Sequence, residues 1–234
     1  MSNQKKYLSF GAGVNSTALL LLLLDAGEEF EAIFCDLGLE LPETYDYLEM
    51  IRREIAPVTF IEGRSEPGRT LYEHCVYYRN FPTRRWKWCA DRFKIKPINR
   101  FYEKPCVSFV GIGSDESHRP TVKIVDPGIE KRFPLIEEGL TREDCKAIIE
   151  KHGLPIPNRS GCYICSSQRA SQWRELYINH HELYERAKHL EVITNQRLKE
   201  RGKLPRYFRD KPLPYLVGEN QLELEIEDEE SLGK

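Results

Sequence analysis

Residues 5–27 read KKYLSFGAGVNSTALLLLLLDAG, and no other stretch limits the fold of this chain as much. An apolar run too short for a helix enters a turn with glycine at 11 and 13. A segment of strong helix formers follows, closed by Gly27 as a C-terminal cap. The pattern is strand, tight turn, helix, and it recurs. EEFEAIFCDLG is a second strand ending at Asp36. Pro42 sits where a first helical turn tolerates proline, and ETYDYLEMIRREIA continues with helical spacing. PVTFIEG is a third strand, and CVSFVGIG, residues 106–113, is a fourth closed by glycines. Alternation of this kind builds a parallel sheet covered on both sides. The expected class is α/β: a parallel twisted sheet with helices on both faces and a helical C-terminal extension.

Beyond Ser114 the pattern changes. KRFPLIEEGL reads as an edge strand and turn, and TREDCKAIIEKHG as a helix that begins near a capping box and ends at Gly153. Residues 166–201 read as mostly helical, with Trp173, Leu176, Leu183 and Leu190 as buried positions. The expected organisation is a nucleotide-binding α/β domain over 1–140 and a helical, cysteine-containing part over 141–215. An acidic tail over 216–234 completes it; residues 219–230 hold seven acids and no base.

Composition excludes some classes. With 234 residues and a formal net charge of −2, no whole-molecule attraction to polyanions is expected. Seven cysteines, an odd number, fit a reduced compartment better than a paired secreted framework. The leucines at 19–24 are preceded by Gly11, Gly13, Asn15, Ser16 and Thr17 and followed at once by Asp25, unlike a signal peptide or a membrane span. The expected location is cytoplasmic, without a membrane.

The glycine turn carries the chemistry. Glycines let the backbone approach a ligand closely, and a helix that starts there presents unpaired N–H groups and the positive end of its dipole. Such a junction binds anions, most often phosphate. Neither the Walker pattern nor the dinucleotide pattern G-x-G-x-x-G is present, since Ser16 stands at the last position. From these residues alone, a plain strand-to-helix turn capped by Ser and Thr stays open.

Five segments in order resemble one family. SFGAGVNSTALL resembles the pyrophosphate-loop (PP-loop) motif of the adenine nucleotide α-hydrolase superfamily. FCDLGLELPETYDYLE, WCADRFKIKP, GIGSDESHRP and FPLIEEGLTREDCKAIIEKHGLPIPNRSGCYIC resemble its phosphoadenosine phosphosulfate reductase family, over roughly residues 5 to 170. The resemblance implies an adenine nucleotide at the C-terminal ends of the parallel strands, as open α/β sheets favour. It implies contacts from Ser9, Gly11, Ala12, Gly13, Val14, Asn15, Ser16, Thr17, Asp36, Gly38 and Gly111. Ser16, Asn15 and Arg119 would act in catalysis. Two departures stand out: Gly11 replaces the usual first serine and Asn15 the usual aspartate. Asn15 keeps a hydrogen-bonding side chain but lacks the charge that would help hold Mg²⁺.

Cys162-Tyr-Ile-Cys165 and Cys89 resemble the three cysteines that hold a [4Fe–4S] cluster in sulfur-handling relatives. A structural zinc completed by Cys75 or a histidine, a redox pair and plain structural thiols are the other readings. Cys35, Cys106 and Cys145 read as small buried hydrophobes. The reductases of the family also use a cysteine near the C-terminus, and this sequence has none after Cys165. That weighs against reduction by its own tail thiol.

Residues 79–104 carry nine bases and two acids interleaved with aromatics, and RLKERGKLPRYFRDK is a second basic run. A nucleic-acid path and an ordinary solvated face are the two readings, the second slightly favoured. The expected function is ATP-dependent, adenylating sulfur transfer to a nucleic acid or small molecule through a cysteine-held cluster. The alternatives are a sulfonucleotide (PAPS or APS) reductase whose thiol comes from a partner, and a nucleotide- or nucleic-acid-binding module with structural zinc. Expected partners are an adenine nucleotide, a tRNA or DNA acceptor, a sulfur- or electron-donor protein and a second copy of the chain.

Overall fold

A computed structural model describes residues 4–65, 68–118 and 126–218. In chain order the elements are β1 (Lys5–Ser9), α1 (Val14–Asp25), β2 (Glu31–Asp36), α2 (Pro42–Glu54), β3 (Val58–Glu62) and α3 (Leu71–Tyr78). A helical turn α4 (Trp88–Ala90) and a π-helical turn (Asp91–Ile95) lead into α5 (Lys96–Phe101) and β4 (Cys106–Val110). There follow β5 (Ile129–Arg132), α6 (Pro134–Glu137), α7 (Arg142–Lys151), α8 (Ala170–Asn179), α9 (His181–Glu200) and α10 (Leu213–Val217). Two compact units result: the chain up to Arg64 with Ala90–Gly161, and Ser65–Cys89 with the chain from Cys162 onward.

The first unit holds one sheet in the order β3-β2-β1-β4-β5, with every neighbouring pair parallel. Successive strand residues face opposite sides, and both sides are buried. Leu8, Ala32, Phe34, Val107 and Phe109 pack with Leu19, Leu20 and Leu23 of α1, Leu48 and Ile51 of α2, and Ile149 of α7. Tyr7, Ile33, Cys35 and Cys106 pack on the other side with Ile98 of α5 and with Tyr102. Tyr102 stacks on Tyr7 at 4.4 Å between centroids, and its hydroxyl meets Ser108 Oγ at 3.0 Å. Each fully buried Leu, Ile or Phe contributes about 1.5–3 kcal/mol. The leucine run therefore supplies core: α1 is apolar on nearly all sides because nearly all its sides are covered.

The edge region departs from the sequence reading. Of KRFPLIEEGL, only Lys131 and Arg132 belong to β5, while residues 134–137 form a helical turn begun by Pro134. Proline's fixed φ suits that first helical position. The helix after Thr141 forms as expected, with a capping box between Thr141 and Asp144.

The second unit packs α3, α8, α9 and α10. Phe208 stacks on Phe81 at 4.0 Å and lies 5.1 Å from Trp173. The buried Glu191 accepts from Phe208 N–H at 3.0 Å and Leu213 N–H at 2.9 Å, tying the segment after α9 to that helix. Trp173, Leu176 and Leu190 are buried as expected. Leu183 is only half-buried, because Tyr184, one position on, takes the inward place. Among the described residues no helix is long and apolar enough to cross a membrane. Residues 219–230 of the acidic tail lie outside the described residues.

Candidate anion site at the strand-order reversal

The sheet order reverses at β1, whose neighbours are β2 on one side and β4 on the other. The chain leaves the C-terminal ends of β1 and β4 in opposite directions there, which opens a crevice. A cleft of about 420 Å³ lies at this point, between Ser9 at the end of β1 and Val110 at the end of β4. Gly11, Gly13, Asn15, Ser16 and Gly111 form much of its wall.

The loop is held by short-range bonds. Gly11 N–H and Gly13 N–H donate to Ser16 Oγ at 3.3 and 3.2 Å, and the Ser16 hydroxyl donates to Gly13 O at 3.0 Å. Gly111 has no room for a side chain, since a Cβ there would stand 2.9 Å from both N and Cα of Ser16. That close approach brings the end of β4 onto the first turn of α1. Asn15 is 7% exposed, and its Oδ1 has no hydrogen-bond partner. A buried carbonyl oxygen left without a partner at the mouth of a helix start calls for a donor or a cation from a ligand.

Basic side chains from distant segments complete the wall: Lys94 from the π-helical turn, Arg142 from the first turn of α7, and Arg159 from the proline-rich loop. Glu116 is the one carboxylate among the lining residues. A π-helical turn is uncommon and recurs at functional sites, where it re-aims a side chain. Ser160 closes the cleft over the glycine loop, and a Cβ on Gly13 would come within 2.7 Å of Ser160 Oγ. The Arg159–Ser160 turn is anchored by Glu40, 6% exposed, whose Oε2 accepts from Gly161 N–H at 2.7 Å. Burial raises the Glu40 carboxyl pKa, while the Lys94 charge and the Gly161 bond oppose that rise.

Ser9, Gly11, Gly13, Val14, Asn15, Ser16 and Gly111 of the expected set therefore line one cleft. Four other residues are placed differently. Ala12 is buried in the turn with φ of 51°. Thr17 is fully buried and outside the lining, its N–H bonded to Gly13 O at 2.9 Å. Asp36 and Gly38 are also outside it; Asp36 Oδ1 accepts from Gly38 N–H at 2.7 Å and Tyr45 O–H at 2.8 Å. That carboxylate shapes the turn after β2. Arg119 lies outside the described residues. Sequence reasoning missed Lys94, Glu116, Arg142, Arg159 and Ser160 as site residues, although all five sit inside segments that carry the family resemblance.

All seven cysteines are free thiols. Cys35, Cys106 and Cys145 are buried as expected, and burial pushes Cys35 and Cys145 up to about 11. In the second unit Cys89, Cys162 and Cys165 are half-buried. Cys162 and Cys165 bracket a turn closed by Cys165 N–H on Cys162 O at 2.9 Å. Cys75 is fully buried, which holds it well toward the protonated thiol. Among the described residues no three His, Cys, Asp or Glu side chains are grouped so as to hold a metal ion. The expected [4Fe–4S] set of Cys89, Cys162 and Cys165, and the zinc alternative with Cys75, are not assembled by this geometry. A metal thiolate centre needs deprotonated sulfurs converging on one point. No step below runs through such a centre.

Two uncharacterised proteins of Methanocaldococcus jannaschii are similar: one is 28% identical over 76% of this chain, the other 25% identical over 44%. The chain spans 40% and 25% of the lengths of those relatives. Among solved structures, phosphoadenylyl-sulfate (PAPS) reductase from Candida auris, in its phosphate complex, superposes with a TM-score of 0.52. It is 16% identical, and the match covers 69% of this chain and 82% of that one, which speaks to the fold. The sequence model of the phosphoadenosine phosphosulfate reductase domain matches residues 5–158, the range that holds the sheet, the glycine loop, Lys94 and Arg142. The chain belongs to the phosphoadenosine phosphosulfate reductase domain family.

Proposed function

We propose that the cleft binds an adenine nucleotide by its phosphates and that the chain is an adenylating enzyme of sulfur transfer. The observation that carries this reading is the cleft's make-up at the strand-order reversal. The start of α1, with Asn15 and Ser16 in its first turn, and three basic residues line one volume. With ATP, the phosphate chain lies along the Gly11–Gly13 turn. An acceptor oxygen attacks the α-phosphorus, the bond to the bridging oxygen breaks, and pyrophosphate leaves. Lys94, Arg142 and Arg159 neutralise charge on that leaving group, and the loop amides stabilise it. Sulfide from a donor protein then attacks the activated carbon, forming a carbon–sulfur bond as the carbon–oxygen bond breaks and AMP leaves. Glu116, the one carboxylate lining the cleft, would supply an oxygen donor suited to the Mg²⁺ that ATP brings; when bound, that ion would neutralise phosphate charge.

The family match favours a second reading, in which the same cleft takes a sulfonucleotide and a partner's thiol attacks its sulfur. Titration calorimetry with ATP, PAPS and APS, and release of pyrophosphate or sulfite, separate the two. The first reading expects ATP to bind and pyrophosphate to appear when acceptor and sulfur donor are present. Binding of PAPS or APS but not ATP, with sulfite release on adding a dithiol protein, replaces it with the second. No binding of any of the three at millimolar concentration overturns both.

A further inference from the structure

The second unit carries a surface that the nucleotide cleft does not use. Residues 77–87, YYRNFPTRRWK, hold four bases and no acid, and residues 196–206, QRLKERGKLPR, hold five bases and one acid. The two segments are joined. Arg79 makes a two-pronged ion pair with Glu200 at 3.0 and 2.7 Å, and Arg206 Nη1 donates to Asn80 Oδ1 at 2.7 Å. Glu200 is thus occupied by Arg79. Burial first, and then the charges of Arg201, Arg206 and Arg79, pull Arg197 below its ordinary pKa. Arg84, Arg85 and Lys87 are exposed and form no ion pair among the described residues. Arg79 is the C-cap of α3, with φ of 48°, the left-handed conformation common at helix ends.

Aromatic faces are set among these charges. Trp86 is 76% exposed, Tyr77 63% and Tyr78 48%. The two tyrosines meet edge to face at 4.9 Å, and the Arg69 guanidinium covers Tyr77 at 3.9 Å. Exposed aromatic rings among cations form a mixed face suited to a ligand with both charge and flat rings. It matches what an unpaired strand offers, which is a phosphate chain for the cations and flat bases for the rings. A duplex buries its bases and has no use for the rings. Unpaired RNA, in loops and ends, presents splayed bases to such platforms.

We propose that this face, from Tyr77 to Lys87 and across the end of α9, binds unpaired RNA. Base stacking falls to Trp86, Tyr77 and Tyr78, and phosphate contacts fall to Arg84, Arg85, Lys87 and Arg201. The surface lies within the second unit and its binding does not depend on what the cleft takes.

The test uses the full chain and a fluorescein-labelled uridine 12-mer, read by anisotropy. Binding should weaken with salt along a log–log slope of about −3, as roughly four phosphate contacts require. Trp86→Ala should weaken it by about tenfold or more, and the double change Arg84→Gln with Arg85→Gln should shallow the slope by about one to two. These side chains are exposed, so circular dichroism and the affinity for ATP should stay unchanged. No binding at about 50 mM salt, equal binding of an RNA duplex, or variants that bind as the parent does would overturn the proposal. So would binding only to phosphatidylserine vesicles or to an acidic protein such as a poly-glutamate chain. A deoxyuridine 12-mer bound more tightly than the RNA would overturn the assignment to RNA.

Discussion

Replacing Glu40 tests whether the Arg159–Ser160 turn is held over the cleft from behind. Glu40 is not among the residues lining the cleft, and it accepts a bond from Gly161 N–H at 2.7 Å. A hydrogen bond to a charged group contributes about 1.5–3 kcal/mol. Gly161 is half-exposed, so water recovers part of this, and Glu40→Ala should cost about 1.5 kcal/mol of stability. Affinity should fall further than stability implies, because Arg159 then enters the cleft from a loosened turn. Loss of one charge-assisted phosphate contact corresponds to about 10- to 100-fold in Kd. Glu40→Gln keeps an acceptor at the same place and should bind ATP within about threefold of the parent. The two variants also separate by pH. Burial raises the Glu40 pKa above its ordinary 4.5, so the folded chain holds that proton more tightly than the unfolded one. This group's contribution is therefore most favourable below the ordinary value and declines as pH rises through the raised one. Glu40→Gln lacks that decline, so its melting temperature should gain on the parent's from acid to neutral pH. Calorimetric titration with ATP and thermal unfolding across pH read both effects. If Glu40→Ala binds ATP like the parent, or the melting difference is flat with pH, the reasoning fails.

Gly111→Ala places a methyl 2.9 Å from backbone atoms of Ser16 that cannot yield without moving α1. It should cost about 1–3 kcal/mol and abolish ATP binding, as unfolding curves and calorimetry would show. Arg159→Ala or Lys94→Ala should weaken ATP by about tenfold at low salt while leaving adenosine nearly unaffected. An equal loss for adenosine would place those side chains away from the phosphates. Iodoacetamide should label Cys89, Cys162 and Cys165 in the native chain, and the buried Cys35, Cys75, Cys106 and Cys145 only after denaturation. Mass spectrometry of peptides reads this directly. Protection of the first three that a chelator removes would restore a metal centre to the account.

Much of the sheet was legible because its cues are local. β1 to β4 are mostly apolar runs ended by a glycine or an acid, and α1, α2 and α7 begin and end near recognisable caps. The glycine turn was legible for the same reason: ten adjacent residues carry its shape. Lys94, Arg142 and Arg159 were not, because they are separated by tens of residues and converge only after the sheet has formed. Alone, each looks like a solvated cation. Two of the expected residues lie outside the cleft lining for definable reasons. Thr17 follows Ser16 by one position, which turns it about a hundred degrees around the helix, away from the cleft and into the core. Asp36 sits at a strand end, where a ligand contact is common, but a short side chain there can also bond the backbone two residues on. It does so at Gly38.

The same comparison says where Asn15 stands. A charged aspartate at this buried place would need a cation to be tolerable when the cleft is empty. Asparagine needs none, and its unpaired Oδ1 leaves only a modest desolvation debt until a ligand donor arrives. Substitution by asparagine therefore moves the work of charge neutralisation from a metal toward the protein's own cations, and three of these line the cleft. If that is the division of labour, Asn15→Asp should make ATP binding depend more steeply on Mg²⁺, with tighter binding in its presence and weaker binding in EDTA. A variant whose ATP affinity shows the parent's Mg²⁺ dependence would mean that residue 15 does not face the phosphates at all.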